Sequence, residues 1–99
     1  MFKNLDPILR SQVRLAIMTI LLLLKSAEFS YLLANIKTTK RNLSFQIAKL
    51  KDAGYIEVRK PFKNNYLHTT LKIAPKGINA YELYIESISE YFKKSEKIQ

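Results

Sequence analysis

Eight polar or charged side chains and one phenyl ring are gathered between Thr38 and Lys49. Thr38, Thr39, Lys40, Arg41, Asn42, Ser44, Phe45, Gln46 and Lys49 suit one kind of chemistry, the non-covalent reading of a polyanion that carries base edges. A guanidinium such as Arg41 can donate two parallel hydrogen bonds to guanine, and an amide such as Asn42 can pair with adenine. Asn42 near a helix start can instead bond to nearby backbone. Lys40, Arg41 and Lys49 can contact phosphate, and Thr38 and Thr39 can cap a helix whose N-terminus faces a phosphate. Phe45 cannot read a guanine edge. It can touch a thymine methyl, or tuck inward if the helix is rotated. A second basic cluster, Arg59, Lys60, Lys63, Asn64 and Asn65, suits a backbone or minor-groove approach, although Asn64-Asn65 alone is also a turn signal.

Covalent chemistry finds little support. The chain has no cysteine, one histidine (His68) and two glycines, Gly54 and Gly77. Thiolate nucleophiles, disulfides and cysteine-based zinc sites are excluded, no glycine-rich phosphate loop can be built, and the carboxylates are scattered. No metal, cofactor or catalytic constellation is expected, and His68 reads as a strand-edge residue. The net charge of +9 is uneven: residues 37–63 hold eight Lys/Arg against two Asp/Glu. That concentration points to nucleic acid first and an anionic membrane surface second.

These side chains need a scaffold. Leu43, Ile47 and Leu50 recur at helical spacing, so residues 39–53 form a helix with an apolar seam, stopped by Gly54. Asp6-Pro7 opens a short turn through Arg10, and Ser11 caps a helix from Gln12 to about Lys25. That helix is apolar nearly all round, so it is expected to be buried on two sides, the second against another subunit. Its run Leu15–Leu24, broken only by Thr19, is too short for a bilayer, which needs ~20 residues. Arg10 and Arg14 before it and Ser26-Ala27 after it mimic a signal peptide, but cleavage would leave the later helices without a packing partner. Lys25–Glu28 reads as a link, Ser30 caps a helix from Tyr31 to Ile36, and Lys37-Thr38 turns the chain. Tyr55–Lys60 and Leu67–Ile73 alternate as strands around a loop, Pro61–Tyr66. Pro75 opens a last helix to about Lys94, with a polar, frayed tail beyond. Its residues Ile78, Tyr81, Ile85, Ile88 and Phe92 make a heptad seam, broadened by Tyr84 and Tyr91.

The expected fold is therefore mainly α with a β-hairpin wing, a winged helix-turn-helix in one domain over residues 1–99. The chain resembles small prokaryotic transcriptional regulators of MarR/ArsR type. Three segments carry the likeness: Leu5-Asp6-Pro7 with Arg10-Ser11-Gln12-Val13-Arg14-Leu15, Asn42 to Ile56, and Leu71-Lys72-Ile73-Ala74-Pro75-Lys76-Gly77. The resemblance implies a homodimer joined through terminal helices and reading palindromic DNA. It places Thr39, Arg41, Asn42, Ser44, Phe45 and Gln46 at base-reading positions, with Phe45 where many relatives carry a polar or basic residue.

The expected partners are double-stranded DNA and a second copy of the chain, and the expected location is the cytoplasm, at the nucleoid. The subunit seam is expected from Leu15, Met18, Leu22, Ile78, Tyr81, Ile85, Ile88 and Phe92. The alternatives are a sequence-nonspecific architectural protein and a winged helix that binds another protein. A membrane-surface role comes after these. A small-molecule effector is not visible in the sequence.

Overall fold

The computed structural model describes residues 4–63 and 66–98, with side chains described outside 62–67 and 96–98. A 3-10 turn, Pro7–Leu9, precedes α1 (Gln12–Leu24), β1 (Ser26–Glu28), α2 (Phe29–Asn35) and α3 (Lys40–Asp52). Then follow β2 (Ile56–Arg59), β3 (Phe62–Lys63), β4 (Tyr66–Leu67), β5 (Thr70–Ile73) and α4 (Pro75–Ile98). Strands β1, β5 and β2 form an antiparallel sheet with β5 in the middle, and β3 pairs with β4 beyond it. Four helices and this small sheet make a winged helix domain of the mainly helical α+β class.

Local signals explain most boundaries. Asp6 accepts from Ile8 N–H with Pro7 next, Ser11 Oγ accepts from Arg14 N–H, and Thr39 Oγ1 accepts from Asn42 N–H. Each satisfies a donor that a helix start leaves open. Helix α3 ends on Gly54 at φ +79°. There Gly54 N–H bonds to Lys51 C=O at 2.9 Å and Tyr55 N–H to Leu50 C=O at 3.0 Å, a Schellman closure that wants glycine. Helix α1 instead ends on Lys25 at φ +72°, a conformation costly for a residue with a Cβ.

The core is one cluster. Leu9, Ile17, Met18, Leu21, Leu32, Leu43, Leu50 and Leu71 are fully buried, with Ile36, Ile47, Tyr55, Ile56, Ile73 and Tyr84 around them. The seam Leu43, Ile47 and Leu50 thus packs α3 onto α1 and the sheet. Helix α4 meets this core closely at Gly77, where a Cβ would lie 2.2 Å from Tyr55 C=O and 3.0 Å from Met18 Cε. Thr19 Oγ1 and Tyr81 Oη share a hydrogen bond of 2.8 Å between α1 and α4.

Several expectations are corrected. Residues 26–28 are a strand, not part of a link, because β5 offers them a free edge. Helix α2 begins at Phe29, and Glu28 rather than Ser30 is its N-cap, without a side-chain bond. Phe29 N–H is satisfied instead by Thr69 C=O at 2.8 Å. The strand expected over 67–73 is interrupted at His68 and Thr69, where the chain passes from β4 to β5. Helix α4 runs on to Ile98 rather than fraying near Lys93. Met18, expected at a subunit seam, and Tyr84, expected to broaden the heptad seam of the last helix, are buried inside the chain's own core.

Candidate nucleic-acid interface

Helix α3 has three outward aspects besides its buried seam. Arg41, Phe45, Ala48, Lys49 and Asp52 are exposed on the outer face. Lys40, Ser44, Ala48 and Lys51 border the cleft between α3 and the sheet, which Lys60, Val58, Thr69 and Phe29 complete. The cleft encloses about 320 Å³. Three ammonium groups around one cleft form a positive trough at the junction of helix and wing. Among the described residues, none of Lys40, Arg41, Lys51, Arg59 and Lys60 is in an ion pair. Their charge is therefore available to a polyanion. Lys51 did not stand out in the sequence. Its signal is the spacing from Lys40 and Ser44, which brings all three to the same flank.

The third aspect faces α1 and is already occupied. Arg14 donates through Nε to Ile8 C=O at 2.6 Å and through Nη1 to Gln46 Oε1 at 2.5 Å. Gln46 Nε2 donates to Asn42 Oδ1 at 3.1 Å, and Asn42 Nδ2 donates to Thr38 Oγ1 at 2.8 Å. The four side chains form a relay with one direction of donation, and both amides are half-buried. The sequence places Asn42 and Gln46 with Arg41 and Phe45 as base readers. The structure turns Gln46 toward α1 and leaves Asn42 between that flank and the outer face, since a 100° step per residue carries them round the helix.

Phe45 faces outward. It is 57% exposed, so the inward alternative does not hold. Lys49 Nζ lies over its ring, 5.0 Å from the centroid, a favourable cation–π placement. Thr39, Arg41, Asn42 and Phe45 surround a shallow hollow on this face.

On the wing, Arg59 and Lys60 are exposed and Lys63 lies in β3. Asn64 and Asn65 lie outside the described residues. His68 is half-buried, its backbone N–H bonded to Pro61 C=O at 2.9 Å and its Nδ1 3.7 Å from Glu28 Oε1. Among the described residues no cluster of His, Asp or Glu is placed to hold a metal, and no helix is long and apolar enough to cross a membrane.

The sequence model described as winged helix DNA-binding domain matches residues 13–92. The chain belongs to the winged helix DNA-binding domain family. It is similar to an uncharacterized protein of Methanocaldococcus jannaschii, 34% identical over 89 residues, covering 90% of this chain and 97% of that one. A transcriptional regulator homologue from Pyrococcus horikoshii superposes with a TM-score of 0.82 at 26% identity, over 88% of this chain and 86% of that one. A protein assigned to the MarR family of transcriptional regulators, from Enterococcus faecalis, gives a TM-score of 0.74 at 14% identity, over 91% and 80%. The winged helix family is one of DNA-binding domains.

Proposed function

We propose that this winged helix protein binds double-stranded DNA sequence-selectively as a homodimer and regulates transcription. The observation that carries the reading is the outer surface of α3, where Arg41, Phe45 and Lys49 stand beside a trough of three unpaired lysines. The mechanism is electrostatic docking followed by groove readout. Lys40, Lys51 and Lys60 hold phosphates on either side of the groove, which fixes register without reading sequence. Arg41 then meets base edges from the first turn of α3, and Arg59, Lys60 and the wing lie along the flanking backbone. Thr38 and Thr39 keep the helix N-terminus formed near a phosphate.

Helix α4 supports the dimer. Ile85, Ile88, Tyr91 and Phe92 are exposed along it, Phe92 at 67%. An apolar stripe of this kind is stabilised by a second copy of itself. The seam therefore comprises Ile85, Ile88 and Phe92, with the half-buried Leu15, Leu22, Ile78 and Tyr81 bordering it, and α4 is the dimerisation element. Two such subunits would meet half-sites about one DNA turn, ~34 Å, apart.

The test is selection of bound fragments from a random duplex pool at about 0.15 M salt, where exposed charges are substantially screened. An enriched palindrome supports the reading. Retention without a motif transfers the protein to the architectural class, and no retention makes this winged helix a protein-binding module.

A further inference from the structure

We infer that Phe45 is a specificity-determining residue that reads the 5-methyl group of thymine in each half-site. This rests on the proposed DNA-binding function and deepens it.

The argument begins with what Phe45 lacks. A phenyl ring has no hydrogen-bond donor or acceptor for the base edges of guanine, adenine or cytosine. The major groove offers one apolar group, the thymine methyl. Phe45 is 57% exposed on the outer face of α3 between Arg41 and Lys49. Leaving an aromatic ring in water between two basic side chains forgoes its burial energy, which a groove-floor contact recovers.

The flanking side chains reinforce the assignment. A bidentate adenine contact needs the oxygen and the nitrogen of one amide together. Asn42 and Gln46 each have both atoms engaged in the relay from Arg14 to Thr38. The relay fixes the orientation of both amides, each with one N–H and one oxygen lone pair left over, so in this arrangement they act as positioning residues for α3. The hollow bounded by Thr39, Arg41, Asn42 and Phe45 has a cavity volume of about 280 Å³, room for a methyl-bearing base edge against the ring. Lys49 Nζ, 5.0 Å from the ring centroid, restrains the phenyl so that less side-chain freedom is lost on contact.

The experiment uses the full chain and the duplex enriched from the random pool. Each symmetric pair of thymines is replaced in turn by deoxyuridine, which removes only the methyl. Wild-type protein should lose about fourfold in affinity per methyl, hence about 15-fold for one symmetric pair, and little elsewhere. Phe45→Ala truncates an exposed side chain and spares the core. It should bind the thymine duplex more weakly and discriminate at no pair, while Phe45→Leu keeps part of the dependence at the same pair. Wild-type binding unaffected by every deoxyuridine pair overturns the inference alone. So does an undiminished methyl dependence in Phe45→Ala. Failure to enrich any sequence overturns the proposed function, and the contact with it.

Discussion

The Tyr55 hydroxyl donates to Asp6 Oδ2 and ties the start of the chain to the end of α3. Burial, the hydrogen bond to Asp6 and the nearby carboxylate charge push the Tyr55 pKa up from 10.0 to about 12. The folded state thus favours the neutral phenol. Its contribution to stability is complete below pH 10 and is lost as pH rises from 10 toward 12. Denaturation midpoints of wild type and Tyr55→Phe, measured across that window, should converge as pH rises. At neutral pH the variant should be less stable by about 1–2 kcal/mol, since an Asp6 oxygen loses its donor. Residue types alone revealed the polar inventory of α3 but not its division. Nothing local in the sequence shows that Arg14, more than one helix away, bonds to Gln46 and through it orders Asn42. Met18 was misplaced for a related reason. In a helix apolar on nearly every side, pattern cannot distinguish a residue facing the chain's own core from one facing a second subunit.

Elements with strong local signals were readable from the sequence. The caps Asp6, Ser11 and Thr39, the stop at Gly54 and the seam of α3 all depend on neighbours within a few residues. The strand β1 was not readable, because the three residues Ser26-Ala27-Glu28 are too few for their alternation to stand out and are extended by pairing with β5, whose Leu71 stands opposite Ala27. The early start of α2 has the same origin, since its first N–H is satisfied by Thr69 from the sheet. Packing between elements gives a sharper expectation at Gly77. An added methyl would meet Tyr55 C=O at 2.2 Å, so α4 must shift away from the core. Gly77→Ala should destabilise the protein by about 1–3 kcal/mol, despite alanine's better helix propensity, as read by thermal unfolding.

Taken as one body, the protein is elongated, 59 × 26 × 21 Å. Its radius of gyration of 15.4 Å exceeds the ~13 Å of a compact chain this long. The excess comes from α4, whose later turns leave the core with Ile85, Ile88 and Phe92 exposed. Replacing Ile85 and Ile88 together by Glu should yield monomers and weaken DNA binding by tenfold or more. Light scattering that still reports a dimer would remove this seam from the proposal. The unpaired lysines of the trough carry a second expectation. A dimer covering roughly eight phosphates should show a log–log salt slope of about −7, and a slope near zero is incompatible with duplex binding by this surface.

The contact at Gly77 also sets a mechanical relation. Tyr55 C=O, just past the end of α3, accepts from Ala74 N–H at 2.9 Å and lies against Gly77. The root of α4 is therefore clamped to the C-terminal end of α3. Helix α4 has 24 residues, a rod of ~36 Å. In a dimer joined along that rod, a tilt of about 10° at the clamp displaces its far end by about 6 Å, close to two base-pair steps at the ~3.4 Å rise of duplex DNA. The pair of α4 helices would thus work as a caliper, with the close contact at Gly77 setting its opening. In such a dimer, the packing of Tyr55 and Met18 against Gly77 would fix the half-site spacing that the jaws can grip.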